Sequence, residues 1–177
     1  MKNKGFVSQD IAMKKVYEKA YSIIGDLTPI PADCGKLCDK ACCKGDDETG
    51  MYLFPFEEVM MENTQDWLNI SKSDFNYTLD RYADIAVCHK PCPRYKRPFS
   101  CRIFPLAPYI DENGIFSVIM DKRAKSMCPL AFALNTDELD KNFVDAVYKA
   151  CKHLMNYRMI AKFIKAQSKL IDEFEIL

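Results

Sequence analysis

Nine cysteines, eight of them between residues 34 and 128, are the feature that most constrains this chain. The eight are Cys34, Cys38, Cys42, Cys43, Cys88, Cys92, Cys101 and Cys128. The first residues, Met1 to Phe6, lack the apolar stretch of an export signal, so we expect a cytoplasmic protein whose thiols stay reduced. Clustered thiols in that compartment are more often metal ligands or catalytic groups than disulfides. The sequence therefore predicts that these eight side chains bind metal.

The spacing of the cysteines is compatible with metal coordination. Cys34 and Cys38 are separated by three residues, a gap within the range of zinc ligands. Zinc sites and the common iron–sulfur clusters each take four thiolates, so eight cysteines could fill two sites, or one site with spare or bridging thiols. In an extended segment the consecutive Cys42 and Cys43 point in opposite directions and would more easily serve different centres. We expect Zn²⁺, with iron or an iron–sulfur cluster as the alternative, because both use these ligands.

Basic residues without acidic ones accompany the second half of the cluster. The stretch from Cys88 to Arg102 contains no Asp or Glu but holds Lys90, Arg94, Lys96, Arg97 and Arg102. A thiolate-rich metal centre carries net negative charge, which guanidinium groups beside it offset by hydrogen bonding to the sulfurs. We therefore expect Arg97 and Arg102 to stabilise the centre from just outside its ligands. His89 adjoins Cys88 and is a weaker candidate ligand.

The most specific motif is Arg97-Pro98-x-x-Cys101-Arg102-x-Phe104-Pro105. Together with the preceding cysteines, Cys92-Pro93-Arg94 and Cys128-Pro129, it resembles the YkgJ-type cysteine-cluster family over residues 30–130. Proteins of that family are described as zinc- or iron-chelating, and sometimes as iron–sulfur oxidoreductases. The resemblance implies metal binding by the clustered cysteines, but it supplies no substrate and no reaction. The alternative function is an iron–sulfur enzyme, either an oxidoreductase or one that modifies a protein side chain, as in a flagellin lysine methylase with a similar cluster.

Apolar residues at helical spacing predict helices at both ends of the chain. One is expected over Ser8–Ile24, ended by Gly25, and two more over residues 137–155 and from Asn156 onward. Cys151 falls on the apolar stripe of the second helix and is expected in the core. Asn113-Gly114 predicts a hairpin between the β-prone segments 103–109 and 115–120. Residues 51–54 favour a short strand, and residues 67–87 fit strands or a helix almost equally.

Pro55-Phe56-Glu57-Glu58 has the pattern of a helix start, with a helix expected to about residue 63. We interpret Glu57 and Glu58 as charges at the N-terminus of that helix. Residues 29–50 hold proline and glycine around four cysteines with little apolar content, so a metal is expected to order them.

The predicted fold is one domain over residues 1–177, of the α+β class and mainly helical. It has an N-terminal helix within 1–28, an irregular metal-organised centre with a short β-hairpin over 29–130, and C-terminal helices over 131–177. Lys plus Arg and Asp plus Glu each number 25, and this net charge of zero argues against a dedicated nucleic-acid binder. No apolar run approaches the ~18 residues of a membrane span. Metal ions are the expected partners; no protein partner or substrate can be named.

Overall fold

Three long helices lie at the two ends of the chain, in a computed structural model that describes residues 4–43, 49–90 and 92–174. They are α1 (Lys4–Ile24), α4 (Lys141–Leu154) and α5 (Arg158–Glu173). Gly25, with a φ of 53°, ends α1 in the left-handed conformation that glycine adopts most easily. These helices were predicted. The start of α4 differs from the prediction, because Thr136–Glu138 forms a separate 3₁₀ turn before Asp140 caps the helix.

A three-stranded antiparallel sheet occupies the middle of the chain. Its strands are β1 (Gly50–Tyr52), β2 (Leu68–Thr78) and β3 (Arg81–Cys88), in the order β1-β3-β2. The pairing of β2 with β3 shifts register between Lys72 and Asn76 and again between Asn76 and Thr78. Gly50 is opposite Val87, where a Cβ would lie 2.8 Å from the Ala86 carbonyl oxygen, so only glycine fits this close approach.

The predicted hairpin forms a second, two-stranded sheet. It pairs β4 (Leu106–Ile110) with β5 (Phe116–Met120), joined by a turn that contains Gly114 with a φ of 80°. Before β4 come the short helix α2 (Phe99–Ile103) and the cis peptide bond Phe104–Pro105. After β5 comes the short helix α3 (Pro129–Ala133), preceded by Cys128 at its N-cap position.

One hydrophobic core joins the end helices to both sheets. Helix α4 packs mainly on α1, whereas α5 packs on β2 and β4. Phe163 of α5 is fully buried, and its ring centroid lies 5.0 Å from that of Phe54, 5.5 Å from Phe75 and 5.6 Å from Tyr77. Cys151 is fully buried in this core, which confirms its predicted place.

A second, smaller cluster contains Trp67 with Leu53, Met61, Leu68 and Ala86. Cys88 and Cys92 pack against it. The only tryptophan of the chain therefore lies beside two of the predicted ligand cysteines.

The predicted α+β, mainly helical fold with an irregular metal-organised centre was wrong in that centre. Residues 68–88 form two long paired strands, so backbone hydrogen bonds and packing on α5 order this part of the chain. Within the described ranges, no group of three or more Cys, His, Asp or Glu side chains is placed to hold a metal ion. The helix expected over 55–63 is only a 3₁₀ turn, Glu57–Met60. In the part of the chain that the structure describes, no helix has the length and apolar character to cross a membrane.

Candidate metal-binding site

Seven of the eight predicted ligand cysteines line two adjoining pockets, and the eighth, Cys92, packs with Cys88 against the Trp67 cluster. They arrive from four parts of the chain: the segment 34–43, the end of β3 with the residues after it, helix α2, and the N-cap of α3. All nine cysteines of the chain are free thiols. The structure thus places side by side residues that are up to 94 positions apart, from Cys34 to Cys128.

A sharp reversal of the chain holds the first four cysteines near one another. The 3₁₀ turn Cys34–Lys36 is capped by the Asp33 carboxylate, which accepts the Gly35 N–H at 3.1 Å. Asp39 and Lys40 then have φ values of 48° and 56°, an uncommon left-handed pair for residues other than glycine. The Lys40 N–H donates to the Gly35 carbonyl at 2.8 Å, and the second turn, Ala41–Cys43, follows directly. Residues 34, 38 and 42 are therefore gathered by a loop and not by one face of a helix.

The arginine-lined pocket is a cavity of about 50 Å³ beside this reversal. Its charged and sulfur-bearing lining consists of Cys34, Cys38, Cys42, Cys101, Cys128, Arg94, Arg97 and Arg102. Burial raises the pKa of Cys34, and the nearby thiols of Cys42 and Cys128 raise it further. Burial also raises the pKa of Cys128, although the nearby backbone N–H groups of Ala131 and Leu130 at the start of α3 oppose that shift.

The apolar pocket is a cavity of about 90 Å³ on the other side of Cys42 and Cys101. It is lined by Cys42, Cys43, Cys88, Cys101, Met51, Ala86, Phe104 and Met127 together with smaller residues. The Sγ atoms of Cys42 and Cys43 are 3.7 Å apart. Hydrogen bonding from Cys43 lowers the pKa of Cys42 to about 7.

The thiol of Cys92 lies near the thiols of Cys43 and Cys88. The neighbouring thiols of Cys43 and Cys88, and then the Arg97 guanidinium, hold the pKa of Cys92 well below the usual thiol value. The same contacts raise the pKa of Cys43 and Cys88. The pKa shifts of Cys92 and of its two neighbours therefore run in opposite directions.

Arg97 directs its guanidinium at the thiols. Burial lowers its pKa, but the negative sulfurs of Cys43 and Cys92 outweigh burial and leave the pKa raised. Among the described residues, the Arg97 Nε is one of two buried side-chain nitrogen or oxygen atoms without a hydrogen-bond partner, the other being Gln167 Oε1. A buried donor without a partner costs about 1–3 kcal/mol, so this N–H is available for an anionic group bound among the thiols.

Arg102 lines the same pocket but makes its contacts elsewhere. Its Nε donates to the Arg97 carbonyl at 2.9 Å and its Nη2 to the Tyr95 carbonyl at 2.6 Å. Its guanidinium carbon lies 4.2 Å from the Tyr21 ring centroid, within cation–π range. Arg102 therefore positions the loop that carries Arg97, whereas Arg97 itself meets the sulfurs.

A buried carboxylate beside the site was not anticipated. Glu57 is fully buried and accepts hydrogen bonds from Tyr21 Oη at 2.6 Å, from the Phe54 N–H at 3.0 Å and from the Phe99 N–H. Burial raises its pKa. Both glutamates lie in the first turn of the short 3₁₀ helix Glu57–Met60, but Glu57 is buried whereas Glu58 is exposed. Nothing local in the sequence distinguishes these two glutamates.

His89, the weaker candidate ligand, lies on the surface. Its Nε2 is 3.1 Å from the Asp66 carbonyl oxygen, and it is not among the described residues that line either pocket.

The donor set suits a thiophilic metal, although the side chains do not form a coordination shell. The described lining of the two pockets offers thiols, thioethers and guanidinium groups but no carboxylate. Sulfur ligands favour zinc, Cu(I) and iron–sulfur clusters over Mg²⁺ or Ca²⁺. In comparisons with known proteins, no family profile, curated protein or solved structure matches this chain. The resemblance to the YkgJ-type family stays a prediction.

Proposed function

We propose that this protein binds a thiophilic metal through its central cysteines in the reducing cytoplasm. The observation that carries this proposal is the convergence of seven free thiols, from four parts of the chain, on two adjoining pockets, with the Cys92 thiol next to Cys43 and Cys88. Zn²⁺ is the first candidate, and iron or an iron–sulfur cluster is the alternative, because both take thiolate ligands in fours.

The surroundings of the thiols support metal binding over inert burial. A structural cysteine such as Cys151 is fully buried in the apolar core, whereas the eight predicted ligand cysteines are all partly exposed or exposed. Cysteine thiols must lose their protons to bind metal as thiolates, and the guanidinium of Arg97 offsets the negative charge that results. Bound zinc would neutralise the thiolates further, whereas an iron–sulfur cluster would supply electron transfer.

Metal analysis of protein purified without oxygen and without an affinity tag tests the proposal. We expect one or more equivalents of zinc or iron in the wild-type protein. Cys101 lines both pockets, so Cys101→Ser should lower the metal content, because a neutral hydroxyl replaces an ionised sulfur. Cys151→Ala is the matched control and should keep the full content.

Visible absorption measured on the same samples separates the two metals. Zinc thiolates are colourless, whereas an iron–sulfur cluster gives a brown protein. A metal-free wild-type protein that unfolds cooperatively would overturn the proposal, as would loss of metal from Cys151→Ala with full retention by Cys101→Ser.

A further inference from the structure

We propose that the groove between strand β2 and helix α5 binds an extended acidic peptide of another protein. The groove has a volume of about 690 Å³ and shares no lining residue with the two cysteine-lined pockets. Residues 75–80, at the end of β2 and in the turn after it, line one side. Helix α5 lines the other side with Lys162, Lys165, Ala166, Lys169, Leu170 and Glu173. This inference goes beyond the proposed metal binding and does not rest on it.

The α5 side of the groove is basic. Lys162, Lys165 and Lys169 are exposed and lie three and four positions apart, so they follow one face of the helix. None of the three forms an ion pair with a described carboxylate. At a rise of about 1.5 Å per residue, the row of lysines extends over about 10.5 Å. These ammonium groups therefore offer positive charge to a ligand in the groove.

Two carboxylates also line the groove, but neither pairs with the lysines. The Asp80 Oδ1 accepts a hydrogen bond from Thr78 Oγ1 at 3.0 Å. Glu173 is the last residue of α5, about one turn beyond Lys169. A continuous polyanion such as a nucleic acid would carry phosphates past both carboxylates. A peptide can place acidic side chains at the lysines and other residues beside Asp80 and Glu173.

Apolar side chains form most of the remaining lining. Phe75 and Tyr77 are half-buried, and their ring centroids lie 5.5 Å and 5.6 Å from that of the buried Phe163. Ala166 and Leu170 are half-buried on the helix side. Because Phe163 holds both rings in place, the groove is formed before a ligand binds, which lowers the ordering cost of binding.

Leu79 places an apolar side chain in open solvent at the groove. It lies in the turn between the paired residues Thr78 and Arg81, and its relative exposure is 103%. Turns usually take Gly, Asn, Asp or another polar residue. Contact with an apolar side chain of a bound peptide would remove Leu79 from water, a gain that the free protein does not have.

An extended peptide matches both sides of the groove. Its side chains alternate in direction, and those on one side are about 6.6–6.8 Å apart. The lysine row has steps of about 4.5 Å and 6 Å, a difference that long lysine side chains can bridge. Acidic residues at alternate positions can therefore meet the lysines, while apolar residues between them contact Leu79 and the rings of β2. These are side-chain contacts, so the peptide need not pair with the backbone edge of β2.

Fluorescence polarisation with synthetic peptides and the full chain tests this proposal. The probe is a fluorescein-labelled seven-residue peptide in which Glu and Leu alternate, and its controls carry Gln in place of Glu or Ser in place of Leu. We expect saturable binding of the Glu–Leu peptide that weakens as salt is added, because exposed charges are screened. Each control peptide should bind about tenfold more weakly, since it lacks one of the two kinds of contact.

Variants of the protein locate the binding. Lys165→Gln combined with Lys169→Gln should weaken binding of the Glu–Leu peptide about tenfold, the loss expected for two exposed ion pairs. Lys141→Gln combined with Lys149→Gln is the control, because both are exposed lysines of α4 outside the groove.

Leu79→Ser should weaken binding of the Glu–Leu peptide about three- to tenfold and leave binding of the Glu–Ser peptide unchanged. Ile115→Ser is the control, because Ile115 is 64% exposed beside the turn of the other sheet. Since Leu79 is fully exposed, its replacement should not lower the thermal stability.

Three results would overturn this inference. They are the absence of saturable binding of the Glu–Leu peptide at low salt, equal binding of its Glu and Gln forms, and equal affinity of the Lys165–Lys169 variant and its control. Binding of a thymidine oligonucleotide or of phosphatidylglycerol vesicles in place of the peptide would also overturn it, since the partner would belong to another class. The metal content should equal that of wild type in every variant, so the proposed metal binding stands or falls separately.

Discussion

Arg97 is a partly buried, positively charged residue beside the cysteines. Its guanidinium lowers the pKa of Cys92, and its buried Nε has no hydrogen-bond partner among the described residues. Arg102 supports it by binding the Arg97 carbonyl. The sequence predicted that both arginines stabilise the cysteines. In the structure Arg97 faces the sulfurs, whereas Arg102 supports the loop that carries Arg97.

Arg97→Gln should weaken metal binding by about 10–100-fold, the usual cost of losing a group that hydrogen-bonds a metal ligand. The neutral amide cannot offset thiolate charge. Competition with a chelator of known affinity measures the loss. Lys96→Gln is the control, because the Lys96 ammonium donates to the Asn63 carbonyl at 3.0 Å and lies on the exposed side of the loop. Equal retention of metal by the two variants would contradict this role of Arg97.

The place of a single residue could be predicted where the local sequence pattern decides its burial. Cys151 could be assigned to the core because it shares a helical stripe with Phe143 and Val147, and all three are fully buried. Glu57 could not be recognised, because its partners Tyr21 and Phe99 are 36 and 42 residues away in sequence. Burial of one glutamate beside an exposed one depends on these distant contacts.

The segment 31–43 has no buried residue and no strand pairing. It is held by turns and by the αL pair at Asp39 and Lys40. Strands β2 and β3, by contrast, are held by regular pairing and by packing on α5. Turns therefore order the first cysteine segment, residues 31–43, whereas strand pairing and packing on α5 order the sheet.

Removal of metal should loosen the first cysteine segment and leave the sheet intact. Under the proposed function, metal ligation would stabilise a segment that buries no apolar side chain, whereas β2 and β3 are held by strand pairing and by packing on α5. Hydrogen–deuterium exchange before and after treatment with a chelator measures this effect. We expect faster exchange over 34–43 and unchanged exchange over 68–88, with α5 as the internal reference. Faster exchange across β2 and β3 would show that metal also orders the sheet.

The elements differ in how clearly the sequence encodes them. The three long helices have an apolar residue at every third or fourth position, and Asn113-Gly114 marks the hairpin turn, so these elements could be predicted. Strand β2 could not be separated from a helix, because its apolar and polar residues alternate irregularly and its pairing with β3 shifts register twice. The pairing partner, and not the local pattern, decides its conformation.

At the scale of the whole molecule, Glu57 connects parts of the chain that are distant in sequence. Through its carboxylate, α1 at Tyr21, the turn at Phe54 and α2 at Phe99 are bound to one another. Helix α2 also carries Cys101, so this carboxylate fixes one wall of both pockets.

Glu57→Gln should lower the free energy of unfolding by about 1–3 kcal/mol, the cost of leaving buried donors without an acceptor. The amide nitrogen would face donors that the carboxylate now satisfies. Urea denaturation followed by circular dichroism and Trp67 fluorescence measures the change. Glu58→Gln is the matched control, because Glu58 is the exposed neighbour and should stay near the wild-type value.

The pH dependence of stability should differ between wild type and Glu57→Gln in a defined direction. Burial raises the Glu57 pKa above 4.5, so the folded protein holds this proton more tightly than the unfolded chain. The wild-type free energy of unfolding should therefore fall as pH rises from about 4.5 through the folded-state pKa, and Glu57→Gln removes this contribution. The difference in free energy of unfolding between wild type and Glu57→Gln should shrink over that pH range. Parallel dependences of the two free energies on pH would contradict the prediction.

The two register shifts in β2 have a consequence for encounters between molecules. β2 is an edge strand of eleven residues, and a long flat edge offers free N–H and C=O groups to a strand of another copy. Irregular pairing bends and twists a strand, and Lys72 adds a charge that is mostly exposed, with Asp84 2.7 Å away. Both features oppose edge-to-edge association, so the strand least evident from the sequence is also built to resist aggregation.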